Sequence, residues 1–410
     1  MIIKIKKYLH IFRREIAIFA LLFFTLLCTL PDNLHGWNSA WYAMDYSLGF
    51  DSRLFIGSIL HLFYPDFLPA EAVYTFVLLS IILLLLVLSY ILGYALRQTD
   101  NSPEGTGLIA LIIFYLLCPA SPSYLWNSEN LGRFDLYLFL LILIAAILYL
   151  KAASVTIRLI GFTLTGLIAL SIHQVFIFIF FPLLFTLGLA TGTEEKAKKK
   201  HLTMTIIGWI IMGSGFLYFQ LFSHINTASL EELTALLSSR TNLEINEVAL
   251  NYEYFATITQ SIQELVLNQL GERIRYGLVT LLLLAPLAVI YCYLWFQIIR
   301  TAEKKNRLKY LLFLSSHLCF IPAFILTIDW GRWFGAFLTV QALQIIILAA
   351  KKDAVVLSAL SRLSTVLRKH PYLFIIIGIW LGSLHKFQAT LLPDAPVFFA
   401  SVYKVCRMVF

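Results

Sequence analysis

The chain has 410 residues, of which 60% are hydrophobic and only 13% charged, and it carries a formal net charge of +8. A soluble domain needs about 25% charged residues, so this composition, with a mean hydropathy of +0.82, excludes a soluble globular enzyme. The positive balance follows from basic residues at membrane edges and calls for no nucleic-acid partner.

Apolar runs near 20 residues recur along the chain, and each predicts a membrane-spanning helix. They cover 16–31, 71–96, 107–120, 135–152, 157–172, 174–191, 203–222, 276–299, 309–328, 333–350 and 372–385. The apolar tail 396–410 is a twelfth span or an interfacial helix. The expected fold is all-α, one polytopic transmembrane domain over 1–410 with about 11–12 helices. The first run is long, has no small-residue cleavage site and is followed by further spans, so it reads as a span and not a cleaved signal. The stretch 155–192 is either one long helix or two short spans hinged near His173, and the two spans fit the loop charges better.

Lys and Arg concentrate in one set of connections, as in EEKAKKKH and RTAEKKNRLK, and most acids fall in the other set. The positive-inside rule then places the N-terminus in the cytoplasm and the acidic loops outside. The basic runs read as stop-transfer flanks and anionic-lipid contacts. Cys28, Cys118, Cys292, Cys319 and Cys406 form no CxxC or Cys/His pattern, so neither a disulfide framework nor a zinc site is expected. There is no P-loop, dinucleotide fingerprint or GxSxG elbow.

The first outer loop, 32–70, carries Asp32, Asp45, Asp51, Asp66 and Arg53 between aromatic residues. Its segment Leu54–Tyr64 is helix-like but too short to span, so it predicts an interfacial helix. Acids held at a membrane surface suggest a reaction site, against the blander reading of a solvated loop with an aromatic belt. The second outer loop brings Glu129, Arg133 and Asp135 to the start of a span. Glu129 and Arg133 share a helix face at i, i+4, and an acid at membrane depth needs a partner or water. His173 lies between two short spans, where it is either a satisfied structural residue or part of a site. The large outer loop 223–275 predicts a helix over Ser229–Ser239, with Ser229 as cap and Glu232 at the capping-box position. A second helical pattern covers about Tyr254–Leu270. The tight turn Ile328–Trp333 holds Asp329, Trp330 and Arg332. It is either a local ion pair in an aromatic belt or a phosphate-binding Arg with Trp stacking on a sugar or prenyl chain.

This layout resembles the GT-C superfamily of membrane glycosyltransferases: one span, a long acidic outer loop with a short interfacial helix, a second acidic loop, then a large loop between the seventh and eighth spans. The resemblance covers roughly residues 1–300. It implies a transferase that moves a sugar from a polyprenyl-phosphate donor to a glycan or lipid-linked acceptor. Carried over by position, it gives Asp45 or Asp51 as catalytic base. Arg53, Glu129, Arg133, Asp135, His173, Asp329, Trp330 and Arg332 would bind substrate. The acidic pair common beside the interfacial helix in that family is absent, and Asp45-x5-Asp51 stands in its place. Metal use stays open at this stage; paired oxygen ligands would suit Mg²⁺ or Mn²⁺. The chain also looks like the polytopic proteins of bacterial surface-polysaccharide synthesis, including O-antigen polymerases, which use outer-face Arg residues. Arg53, Arg133, Arg240, Arg273, Arg275 and Arg332 would then be candidates. Both resemblances imply the bacterial inner membrane. A transporter is the non-enzyme rival; it would need charges within its spans, which are mostly clean in their middles.

Overall fold

The computed structural model describes residues 11–388, apart from 101, 194–197, 257, 262, 264–266 and 328. The tail 396–410 lies outside the described residues. The described chain is almost wholly helical: α1 Arg13–Thr29, α2 Leu54–His61, α3 Ala70–Gln98, α4 Pro103–Leu117, α5 Asp135–Lys151, α6 Val155–Ile172, α7 Phe181–Gly192 and α8 Lys198–Phe222 in its first half. There follow α9 Leu230–Arg240, α10 Leu270–Leu283, α11 Ala285–Thr301, α12 Lys304–Ser315, α13 Phe320–Leu326, α14 Trp330–Ala350, α15 Ala354–Lys369 and α16 Pro371–Ser383.

The all-α polytopic membrane class is the one observed, but its spans are less uniform than the sequence predicts. Among the described residues, six helical stretches are long and apolar enough to cross a bilayer, or seven if α10 and α11 form one bent span. α1 and α5 have 17 residues each, α7 has 12 and α16 has 13. At about 1.5 Å per residue the last two cover only about 20 Å. The bend between α10 and α11 is 68°. Pro286 lacks the N–H that would continue the helix, and the Trp380 indole donates to the Leu283 carbonyl at 2.7 Å.

α14 is the central helix, buried along nearly its whole length. Two of its buried glutamines pair with neighbouring helices: the Trp295 indole donates to Gln341 at 2.6 Å, and Gln344 donates to the Thr186 hydroxyl at 2.7 Å. Such pairing is what a low-dielectric interior demands. The predicted hinge is present, since His173 has extended backbone (φ −163°) and ends α6.

The sequence reading assigns no element to 351–371. There the structure folds α15, whose Val356, Leu360, Leu363 and Leu367 recur at helical spacing and bury against the bundle. Its Arg362, Arg368 and Lys369 depress the local hydropathy, so the stripe is hidden from a search for apolar runs.

The segments 32–70 and 223–275 fold together at one end of the bundle. β1 Gly49–Phe50 pairs antiparallel with β2 His224–Ile225, Gly49 opposite Ile225. Gly49 has φ +152°, and a Cβ there would strike the His224 carbonyl. Further along, Leu68 N–H donates to the Arg240 carbonyl at 2.8 Å, and the Thr241 hydroxyl returns a bond to Leu68 O at 2.6 Å. The 119–134 loop joins the same end, where the Asn38 amide donates to the carbonyls of Glu129 (3.0 Å) and Leu131 (2.9 Å). Ser229 caps α9 by accepting from Glu232 N–H at 3.2 Å, as predicted, while Glu232 reaches back to Ala228 N–H at 2.8 Å. Among the described residues of Tyr254–Leu270 only short helical turns form, such as Ile258–Ser261.

Candidate functional site

Two charges at the start of membrane helices fix the geometry. Asp135 opens α5 and Arg332 lies in the first turn of α14. Each is buried, at 2% and 6% exposure, and burial of an isolated charge is prohibitive. They therefore pair bidentately, Arg332 Nε and Nη2 each 2.6 Å from an Asp135 oxygen. Asp329 accepts from Arg332 Nη1, and the guanidinium lies 4.7 Å from the Trp333 ring centre. Arg332 is thus held from three sides.

In front of it is a cavity of about 210 Å³ whose walls include Arg53, Arg133, Arg332, His173, Asp329 and Glu253. The three guanidiniums come from three separate segments. Arg332 is held by Asp135 and Asp329, Arg53 meets Glu253 at 3.1 Å and stacks 4.5 Å over Trp41, and Arg133 meets Glu129 and Asp329 at longer range. Its Nε is 3.4 Å from the Glu129 carbonyl and its Nη1 3.7 Å from Asp329. Burial and the neighbouring Arg332 push Arg133 down to about 10, against the pull of Asp329. Burial, then Arg53, Arg332 and Arg133, hold His173 well below its ordinary value, so the imidazole is neutral. Burial pushes the Asp329 carboxyl up, but Arg332 and Arg133 outweigh it and keep the value below the usual range.

Glu253 is the acid within this cavity that the sequence reading missed. About a third of its side chain, 31%, stays accessible. Enclosure pushes its carboxyl up, Arg53 opposes, and the nearby Asp51 carboxylate adds to the rise; the net value is raised. Trp37 and Trp41 supply flat apolar walls. A second space of about 220 Å³ shares Arg53, His173 and Glu253 with the first and extends between Val175, Phe178, Phe216 and Pro322. It runs between α8 and α13, whose outer faces expose Leu217 (57%) and Ile325 (60%). The site therefore has a charged head and an apolar tail.

The structure brings Arg53, Arg133, Asp135, His173, Asp329 and Arg332 together, Asp135 standing behind Arg332. Asp51 is buried at 3% exposure, accepts from the Ser52 hydroxyl at 3.1 Å and is not among the cavity walls. Glu129 offers its backbone carbonyl to Asn38 and Arg133. Trp330 does not face the cavity: its ring packs on Gly277 and on Phe324 (centroids 5.6 Å), and its indole donates to Phe324 O. Asp45, the first expectation for a base, is not among the cavity walls. It accepts from Ser47 N–H at 2.7 Å and from Arg240 at 2.6 Å, with His61 3.7 Å away. Burial pushes its carboxyl up, but the Ser47 hydroxyl and N–H and the Arg240 charge outweigh that and hold it below its ordinary value. Asp45 is a latch between the two large loops.

Arg273 donates to the Thr327 carbonyl at 2.9 Å behind the cavity wall, and Arg275 is exposed. Among the described residues no group of three His, Cys, Asp or Glu side chains gathers as metal ligands, so no step is assigned to Mg²⁺ or Mn²⁺. Comparison with protein families, with curated proteins and with solved structures finds no match to this chain.

Proposed function

We propose that the chain is a membrane glycosyltransferase with a GT-C-like layout, which transfers a sugar from a polyprenyl-phosphate donor to a glycan or lipid-linked acceptor. The reading is carried by a cavity walled by guanidiniums that adjoins a largely apolar slot between helices, with Arg53, His173 and Glu253 lining both. A lipid phosphate has that shape, with an anionic head and a long apolar chain. Arg133, with its long contacts, and Arg53 would hold the phosphate, while Arg332 is kept in place by Asp135. Trp37 and Trp41 would stack on the sugar. The acceptor hydroxyl attacks the anomeric carbon, the bond from that carbon to the phosphate oxygen breaks, and polyprenyl phosphate departs with the electron pair. The hydroxyl proton passes to Glu253, whose raised affinity for protons suits a general base. The site is read as facing outside, at the bacterial inner membrane, because the loop end is the acid-rich end.

The test is transfer from a purified polyprenyl-phosphate sugar. Glu253→Gln is expected to lower turnover by about 10²–10⁴-fold, the usual share of a general base, with donor binding retained. Asp45→Asn is expected to keep turnover within a few-fold. Wild-type turnover in Glu253→Gln would remove the base assignment; no transfer by the wild-type protein with any such donor would remove the reading. The polymerase reading shares the cavity and is favoured if Arg133→Ala and Arg53→Ala abolish chain extension while Glu253→Gln does not.

A further inference from the structure

The start of α11, the second half of α15 and α16 enclose an apolar groove of about 430 Å³. Its walls include Pro286, Val289 and Tyr293 of α11, Val366 and Leu367 of α15, and Ile377 of α16. This groove shares no wall residue with the two spaces of the charged site.

The rim of the groove is charged in one sense. Arg362 and Lys369 flank Val366 at i−4 and i+3, so they stand on the same face of α15 as the groove wall. Arg362 donates to Gln297 at 2.7 Å. Gln297 is one turn beyond Tyr293, so this bond closes one end of the groove with a guanidinium that is otherwise exposed. Arg300 follows within a turn and is also exposed. Among the described residues no carboxylate lies within ion-pair distance of Arg362, Lys369 or Arg300. Water would suit the cations, but not the apolar walls beside them.

We propose that this groove binds one anionic phospholipid, with an acyl chain against Val289, Val366 and Ile377 and the headgroup phosphate on Arg362 and Lys369. Charge complementarity selects the occupant. A zwitterionic lipid would satisfy the apolar walls but not the unopposed cations, and a soluble phosphate would satisfy only the cations. The proposal does not rest on the transfer reaction.

The experiment titrates purified protein in phosphatidylcholine nanodiscs with phosphatidylglycerol and follows the melting temperature, with tightly held lipid counted by native mass spectrometry. Phosphatidylglycerol should raise the melting temperature saturably and be retained in about one copy. Arg362→Gln and Lys369→Gln should each weaken this about fivefold, the usual effect of one basic residue near an anionic surface. Val366→Trp, which fills the groove and leaves every charge in place, should remove the saturable effect; Val289→Trp from the other wall should do the same and serves where Val366→Trp melts low in phosphatidylcholine alone. The proposal is overturned if phosphatidylcholine and phosphatidylglycerol are retained alike, if glycerol phosphate reproduces the shift, or if both tryptophan variants titrate like wild type.

Discussion

Arg133 and Glu253 carry the most chemical consequence at the scale of single residues, and they were unequally legible. Arg133 stands beside Asp135 at the entry to a span, a position that marks it in the sequence. Glu253 sits in the short helical turn Asn251–Phe255, which no sequence pattern marks, and only the fold sets it against Arg53. Arg133→Ala is expected to weaken donor binding about 10- to 100-fold, the loss of a hydrogen bond to a charged group, measured with labelled polyprenyl phosphate. The transfer rate should rise with pH through the Glu253 value, which lies above that of an ordinary carboxylate. A pH profile of kcat/KM should show that ascending limb in wild type and lose it in Glu253→Gln. Asp135 has a different task. Its removal leaves Arg332 buried without its bidentate partner, a loss of about 3–5 kcal/mol. Asp135→Ala should therefore melt well below wild type, whereas Glu253→Gln should not. Wild-type melting in Asp135→Ala would contradict the pairing.

The elements divide by how their pattern reads. Long apolar runs such as α3 and α14 are visible in any hydropathy scan, and the Ser229 cap of α9 follows from side-chain chemistry. The hinge at His173 follows from loop charge. α15 is invisible to the same scan because its buried face is interleaved with Arg and Lys. It packs closely enough on α4 that a Cβ at Gly107 would collide with the Leu360 carbonyl. Gly107→Leu should cost about 1–3 kcal/mol by overpacking, read as a lower melting temperature. Between loops, the Asp45–Arg240 latch is pH-dependent with a definite sign. The folded-state value of Asp45 lies below the unfolded one. Its stabilising contribution is full above the ordinary carboxylate value and is lost as pH falls through the folded value. Amide protection factors across 240–244 should fall at acid pH in wild type, and should already be low at neutral pH in Arg240→Ala.

For the molecule as a whole, the class of fold was readable because the bilayer imposes length and apolarity on every crossing. The site was readable in part, because the charges that open α5 and α14 have no place in lipid unless they meet. Which acid faces the cavity was not readable, since that depends on how 32–70 folds against 223–275. The central claim is that the guanidinium cavity and its apolar slot hold one lipid phosphate. Photo-crosslinking with a polyprenyl phosphate that bears a benzophenone on its chain tests it most directly. The account predicts adducts on peptides containing Phe178, Phe216 and Pro322, suppressed by unlabelled polyprenyl phosphate and weakened in Arg133→Ala. Adducts that fall elsewhere, or that persist unchanged in Arg133→Ala, would contradict it.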